Sequence, residues 1–204
     1  MPSAPSIASL PPVTSRPLWV FGYGSLMWNP GFSVAERRLA RLDGWHRSFC
    51  MRSIHHRGSP TDPGLVLALD AADGTHCAGV AFRVADGAEV ETVETLRERE
   101  LISSAYLERE LAVEVDGLGV RTALTYVIDP HHEQYAGDLS RETQAQIIAV
   151  AVGGRGPNCE YLENTAAHLH ELSIADTDLD WLVTRVRQIR GAHARPVGTR
   201  PEPG

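Results

Sequence analysis

The sequence contains no lysine, and all 19 of its basic residues are arginines. A Walker phosphate-binding loop needs a lysine that reaches the β- and γ-phosphates, and Schiff-base catalysis needs a lysine amine. Both chemistries are therefore excluded. The glycine-rich stretch 153–157 lacks this lysine, so it predicts a flexible loop at the border of a pocket rather than a nucleotide cradle.

Cysteine is also scarce, with only Cys50, Cys77 and Cys159 in the chain. An odd number without C-x-x-C spacing argues against a disulfide framework and against a thiolate zinc site. A reducing cytosol is the expected compartment. Cys50 lies in a predicted strand, where it is expected to pack rather than react.

Long hydrophobic runs and strong positive charge are absent as well. No run of about 18 apolar residues is present, and residues 1–17 lack the charged and apolar regions of a signal peptide. We therefore expect a cytoplasmic protein with no membrane partner. The net charge of −7 argues against nucleic acid as a partner. None of the nine histidines has H-x-x-x-H spacing, so no metal is predicted.

The pattern of elements predicts a mixed fold. Segments rich in β-formers recur at 18–23, 45–52, 64–69, 78–84, 107–115 and 123–128, and helical patterns at 86–103, 140–152, 164–172 and 177–190. The irregular order favours an α+β class, with a small, mixed, mostly antiparallel β-barrel and helices packed around it. Residues 18–190 are expected to form a single domain, with disordered tails at 1–17 and 191–204. Gly191 is the predicted stop of the last helix.

The segment from Trp19 to Pro30 combines a short apolar strand with a Gly-x-Gly-Ser turn. If Gly22 and Gly24 take positive φ, successive backbone N–H groups can converge on an anion such as a carboxylate. The alternative is an ordinary tight turn at the exit of a strand. Met27 stands where a dinucleotide fingerprint needs its third glycine, and the nucleophile elbow of serine hydrolases is also absent.

One glutamate of the predicted helix at 86–103 is placed differently from the others. At about 100° per residue, Val90, Val93 and Leu96 share a face, and Glu100 lies about 20° from Val93. Glu91, Glu94 and Glu98 are better candidates for the solvent side. An inward carboxylate has its pKa raised by desolvation, which suits proton exchange near pH 7. Alternatively, the helix frays near Ser103, and Glu100 reaches solvent or pairs with Arg97 or Arg99.

Several motifs in order resemble the ChaC family of γ-glutamylcyclotransferases, and the likeness covers nearly everything from Trp19 to about Ile189. The matching segments are Phe21-Gly22-Tyr23-Gly24-Ser25-Leu26-Met27-Trp28-Asn29-Pro30, Gly44-Trp45-His46-Arg47, His56-Arg57-Gly58, Pro63-Gly64, Arg99-Glu100 with Tyr106, Ile128-Asp129-Pro130, Gly156-Pro157-Asn158 and Tyr161-Leu162. The resemblance implies a γ-glutamylcyclotransferase-like fold. It also implies a lyase that cleaves glutathione into 5-oxoproline and Cys-Gly, without metal or organic cofactor.

The resemblance also assigns residues. The family's catalytic glutamate falls on Glu100, and its substrate-binding turn falls on Phe21, Gly22, Tyr23, Gly24, Ser25 and Leu26. Arg52 and Arg57 are weaker candidates for the carboxylate at the glycine end of glutathione. Both are equally consistent with surface arginines that pair with a local acid. Tyr106 and Tyr161 are candidates to orient Glu100 or the substrate, or are simply buried tyrosines with satisfied hydroxyls.

Two alternative functions remain open from the sequence. Related cyclotransferases act on other γ-glutamyl dipeptides or amines, and the outer wall of the pocket decides between such substrates. A non-catalytic regulator of a cation transporter is the alternative from another class.

Overall fold

The structure is a computed structural model, in which residues 16–193 are described. The rest of both predicted tails, 1–15 and 194–204, lies outside the described residues. The elements in chain order are β1 (Trp19–Gly22), a 3-10 helix (Ser25–Met27), β2 (Val34–Ser53), β3 (Gly64–Val84), α1 (Glu89–Glu100), β4 (Tyr106–Val115), β5 (Gly119–Ile128), α2 (Arg141–Val150), β6 (Val152–Gly153), β7 (Gly156–Pro157), α3 (Asn158–Glu171) and α4 (Thr177–His193).

Five strands close into a barrel in the order β1-β3-β2-β4-β5. Every neighbouring pair is antiparallel except β1 and β5, which run parallel and pair Trp19 with Ala123. The short β1 is therefore hydrogen-bonded along both edges. This mixed barrel with surrounding helices confirms the predicted α+β class.

Strands β2 and β3 are longer than the sequence pattern predicts. The segments 45–52, 64–69 and 78–84 are parts of two continuous strands of 20 and 21 residues. The Asp43-Gly44 pair is typical of a turn, but here it lies at a bulge within the β2–β3 ladder, because Asp43 pairs with His76 and Trp45 pairs with Ala71. Gly44 has a φ of +79°, which a glycine adopts without steric cost. Glycine-containing turn signals here mark an irregularity within strands rather than their ends.

The apolar side chains of β1 point alternately to two sides, as the pleat of a strand requires. Trp19 and Phe21 belong to a cluster with residues of β2, β4 and β5. Val20 belongs to a second cluster, in which it lies with Leu96 of α1. All four residues of β1 are buried, so the turn that follows them starts from a fully packed strand.

Helices α2, α3 and α4 bury a shared apolar face against β2 and β3. In the predicted helix 177–190, now α4, the apolar residues form one stripe, because Leu179, Leu182 and Val186 are buried and Val183 and Ile189 pack beside them. The predicted helix stop at Gly191 is wrong, because α4 continues through it to His193. An exposed glycine weakens a helix without ending it.

Helix α1 is shorter than predicted and is turned slightly differently. Thr92 and Leu96 are its buried residues, and Glu100 follows in the same row at the spacing of four. Val90 was expected on this face, but it is 73% exposed. The helix ends at Glu100, and Ser104 then takes a left-handed φ of 56° before β4 begins.

Candidate active site

The turn after β1 forms a 3-10 helix, with Gly24 as its N-cap. Met27 donates to the carbonyl of Gly24 at 2.9 Å, and Asn29 donates to the carbonyl of Ser25 at 3.0 Å. No side chain caps the helix. The N–H groups of its first residues have no preceding helical carbonyl to bond. Ser25 and Leu26 therefore present backbone donors at the start of the turn.

The predicted positive φ at Gly22 and Gly24 is wrong. Gly24 has a φ of −136°, and Gly22 is not among the glycines with positive φ. Close packing is the reason for Gly22, because a Cβ there would lie 3.1 Å from the Cβ of Leu26 and 3.2 Å from the Phe82 ring. A Cβ on Gly79 of β3 would overlap the carbonyl oxygen of Gly22. The glycines thus let strand and turn approach each other.

Arg47 holds the turn from the barrel side. Its Nη1 donates to the carbonyl of Tyr23 at 3.0 Å and to the carbonyl of Ala78 at 2.9 Å. Its Nε and Nη2 donate to Asp176 at 3.0 and 2.8 Å. Asp176 in turn accepts from the backbone N–H of Leu179 in α4. From the sequence, Arg47 was noted only as part of the motif Gly44-Trp45-His46-Arg47, and its structural role was not predicted.

Arg99 holds the turn from the helix side. Its Nη2 donates to the Ser25 hydroxyl at 2.8 Å, and its Nη1 donates to the carbonyl of Asn29 at 2.7 Å. Its Nε lies 3.1 Å from Oε1 of Glu100. One guanidinium therefore joins the candidate catalytic carboxylate to the candidate substrate-binding turn.

Glu100 is both partly buried and paired with an arginine, the two alternatives that the sequence left open. Its side chain is 17% exposed and is paired with Arg99. Burial raises the pKa of the Glu100 carboxyl, and the positive charge of Arg99 opposes part of that rise. Glu91, Glu94 and Glu98 are exposed, as predicted. Among the glutamates of α1, Glu100 has the environment of a proton-exchanging group.

Four tyrosines from four different parts of the chain are influenced by the charge of this carboxylate. Burial is the main cause of a raised pKa at each of them, and the charge of Glu100 raises each further; they are Tyr23, Tyr106, Tyr126 and Tyr161. The pKa of Tyr161 reaches about 12, so its phenol stays neutral at physiological pH. The hydroxyl of Tyr106 donates to the Leu67 carbonyl at 2.9 Å. Tyr126 was not singled out from the sequence.

Arg57 lies close to Tyr161, whereas the Arg52 side chain forms no hydrogen bond with these tyrosines in the described part of the chain. The Arg57 guanidinium is 5.6 Å from the centre of the Tyr161 ring and donates to the Pro157 carbonyl at 3.1 Å. Within residues 16–193, neither Arg52 nor Arg57 forms a salt bridge. The alternative of a locally paired surface arginine is therefore wrong for both.

The predicted loop 153–157 is a short hairpin, formed by β6 and β7. Gly154 and Arg155 donate their backbone N–H groups to the carbonyls of His55 and His56, at 2.8 and 2.9 Å. This hairpin therefore supports the segment that carries Arg57.

Two cavities on other parts of the surface do not include Glu100. One of about 460 Å³ lies between α1 and residues 29–33, and one of about 1070 Å³ lies between α1, β1, β4 and β5. In the described part of the chain, no group of three or more metal-ligating side chains comes together. No helix between Arg16 and His193 is long and apolar enough to span a membrane.

Comparison with known proteins gives the family of this chain. Residues 18–189 match the ChaC-like protein family. The chain is 35% identical over 173 residues to the glutathione-specific gamma-glutamylcyclotransferase of Escherichia coli, covering 85% of this chain and 74% of that protein. It is 36% identical over 165 residues to glutathione-specific gamma-glutamylcyclotransferase 1 of Danio rerio, covering 79% and 83%.

A solved structure supports the fold. The crystal structure of a gamma-glutamyl cyclotransferase specific to glutathione from yeast superposes with a TM-score of 0.77 at 24% identity. The match covers 89% of this chain and all of that chain. From the family match over 18–189 and the identity to curated relatives, we conclude that this chain belongs to the ChaC-like protein family.

Proposed function

We propose that this protein is a glutathione-specific γ-glutamylcyclotransferase that converts glutathione into 5-oxoproline and Cys-Gly. The observation that carries the proposal is the buried Glu100 carboxylate joined through Arg99 to the turn after β1. The names of the relatives from Escherichia coli and Danio rerio support the same substrate. Its three cysteines are free and buried, which fits the cytoplasm as the proposed location.

The reaction needs one group that moves a proton between two nitrogens. Glu100 accepts a proton from the substrate's α-ammonium, and the freed amine attacks the γ-carbonyl carbon. A new C–N bond closes the five-membered ring, and the amide bond to cysteine breaks. Glu100 then gives this proton to the departing amine. The second proton, which the ring nitrogen loses after attack, passes through Glu100 to the same amine, so Cys-Gly leaves as an ammonium and no water is consumed. A raised pKa brings Glu100 closer to the pH at which it can perform both steps.

Positioning supplies the rest of the rate enhancement. Well-oriented intramolecular reactions reach effective molarities of about 10⁵ to 10⁸ M. The backbone N–H groups of Ser25 and Leu26 are proposed to hold the substrate's α-carboxylate or the oxyanion that forms at the γ-carbonyl. Phe21, Gly22, Tyr23 and Gly24 shape this turn. The tyrosines whose pKa responds to Glu100 are neutral, so they add no competing charge near the carboxylate.

The outer end of the substrate is assigned to the Arg57 side of the site. Its guanidinium lies beside Tyr161 and is free of any acidic partner in the described residues, so it can bind the carboxylate of the glycine residue. Arg52 is the weaker candidate for the same role. The Tyr161 ring lies against Arg57, and the Tyr106 hydroxyl donates to the Leu67 carbonyl. Both tyrosines are therefore proposed to line the site rather than to orient Glu100.

The test is a chromatographic assay for 5-oxoproline with glutathione, γ-glutamyl-alanine and γ-glutamyl-lysine as substrates. We expect turnover of glutathione, weak or no turnover of the other two, and loss of turnover in Glu100→Gln. Glu98→Gln is the matched control, because Glu98 is exposed on the same helix. Absence of 5-oxoproline from glutathione would overturn the proposal. Equal turnover of all three compounds would replace the glutathione-specific enzyme with a broader γ-glutamylcyclotransferase.

A further inference from the structure

We infer that Arg99 is a positioning residue. It fixes the position of the Glu100 carboxylate relative to the proposed substrate-binding turn. The inference rests on the proposed function, because it assigns a role in the same reaction. Arg99 was considered from the sequence only as a pairing partner that would neutralise Glu100. The geometry points to a bridge.

All three nitrogens of the Arg99 guanidinium are used, each on a different residue. They contact the Asn29 carbonyl at 2.7 Å, the Ser25 hydroxyl at 2.8 Å and Glu100 at 3.1 Å. Two of these contacts cross about seventy residues of sequence to the 3-10 helix and its exit. The planar fork of arginine fits such divided contacts, and lysine, with one compact ammonium, does not.

The neighbouring Arg97 shows that this arrangement is not a general property of the helix. Arg97 pairs with Glu108 of β4 at 2.6 Å, and its side chain is 55% exposed. The Arg99 side chain is 29% exposed. The two arginines thus differ in surroundings while sharing charge, size and helix.

Ser25 gains a defined role from this contact. Its hydroxyl oxygen accepts from Arg99, so its own O–H remains able to donate to another acceptor. The uncapped start of the 3-10 helix lies on the same residue. Arg99 therefore orders a hydroxyl and a backbone N–H together, next to the carboxylate that moves the proton.

The contact between Arg99 and Glu100 can be measured through the pKa of Glu100. Arg99 is the charge that lowers the pKa of Glu100 against the effect of burial. Within residues 16–193, Glu100 also raises the pKa of four phenols, which are Tyr23 from the turn, Tyr106 from β4, Tyr126 from β5 and Tyr161 from α3. Burial keeps these phenols neutral. Arg57 acts on Tyr161 from the outer side. Removal of the Arg99 charge therefore leaves burial as the dominant influence on the pKa of Glu100.

The experiment compares Arg99→Met, Arg99→Lys and the control Arg97→Met. For Arg99→Met we expect kcat to fall about 10²-fold, the loss typical of a misplaced catalytic geometry. We also expect the acidic limb of the pH profile of kcat/KM to move to higher pH. Arg99→Lys keeps a positive charge, so its limb stays near the wild-type position while kcat recovers only in part. Arg97→Met is expected to keep the wild-type kcat and limb.

A second measurement does not depend on activity. The carboxyl ¹³C resonance of Glu100, followed from pH 4 to pH 9, is expected to titrate at higher pH in Arg99→Met than in wild type. Titration at the wild-type pH, or wild-type kcat in Arg99→Met, would overturn the inference. If Arg99→Met does not fold, Arg99→Lys decides the question, because full wild-type kcat in that variant contradicts a bridging fork. Full activity of Glu100→Gln would instead overturn the proposed function itself.

Discussion

The guanidinium of Arg47 and the carboxylate of Asp176 form an ion pair of 2.8 Å that is almost sealed from solvent, with side chains 3% and 15% exposed. The pair joins the middle of β2 to the start of α4, across 129 residues of sequence. Because Arg47 also donates to the carbonyl of Tyr23, the same pair supports the turn of the candidate active site. The Arg47 guanidinium therefore stabilises both the packing of α4 on the barrel and the turn of the candidate active site.

Removal of Arg47 is expected to be costly. Arg47→Met leaves the Asp176 carboxylate without its partner, and breaking a buried pair in this way costs about 3 to 5 kcal/mol. Urea unfolding measures the change in the free energy of unfolding. Arg47→Met combined with Asp176→Asn should recover part of the loss, because the unpaired charge is gone. A change of less than about 1 kcal/mol in the single variant would contradict this account of the pair.

Glu100→Gln is expected to stabilise the protein above the folded-state pKa of Glu100 while it abolishes turnover. Burial raises that pKa above the ordinary 4.5, so the folded state holds the proton more tightly than the unfolded state does. Wild type therefore keeps this stability in acid and loses it as the pH rises through the folded-state pKa. Urea unfolding at several pH values should give a gap between variant and wild type that widens towards neutral pH. A gap that is independent of pH would contradict the raised pKa.

Gly79→Ala is expected to destabilise the protein by about 1 to 3 kcal/mol, the usual cost of overpacking. The new Cβ would overlap the Gly22 carbonyl and press on the Phe21 ring. Because those atoms carry the turn, kcat/KM should fall as well. Thermal unfolding and the 5-oxoproline assay measure the two effects.

Gly191→Ala is the matched control, since a Cβ at that position meets nothing within 4 Å and the residue is helical. It should stabilise the protein by up to about 1 kcal/mol, because alanine favours a helix over glycine. Destabilisation by Gly191→Ala, or a neutral Gly79→Ala, would show that the packing around these glycines is described wrongly.

The cysteines are expected to resist thiol reagents in the folded protein. Burial raises the pKa of the Cys50 and Cys77 thiols to about 11, and only the thiolate reacts. Cys159 is also buried. Iodoacetamide at pH 8, followed by mass spectrometry, should label none of the three within minutes and all three after unfolding in guanidinium. Rapid labelling of Cys50 or Cys77 before unfolding would contradict their placement.

The sequence was informative where a local pattern decides the structure. The helical wheel selected Glu100 from four glutamates by its closeness to Val93, and in the structure Glu100 follows the buried Thr92 and Leu96 at a spacing of four. It was wrong about Val90, since an apolar side chain in the first turn of a surface helix need not meet the core. The barrel was predicted from recurring strands, but the bulge at Gly44 was interpreted as a turn. A left-handed glycine occurs in both.

The arginines that organise the site could not be identified from local pattern. Arg47 and Asp176 are 129 residues apart in sequence, and only the folded barrel and its helices bring them together. Arg99 reaches Ser25 across 74 residues, because β1 and α1 are brought together by the barrel and not by their sequence spacing. The conformation of Gly22 was likewise set by Phe82 and Leu26, which are its neighbours in space.

The short β1, hydrogen-bonded along both edges and buried throughout, gives the turn that follows it a rigid base. The segment 54–63 is held differently, because the carbonyls of His55 and His56 accept backbone N–H groups from Gly154 and Arg155 of the β6–β7 hairpin. Amide hydrogen exchange should accordingly be slow in β1 and faster in residues 54–63, which lie outside the strands of the barrel.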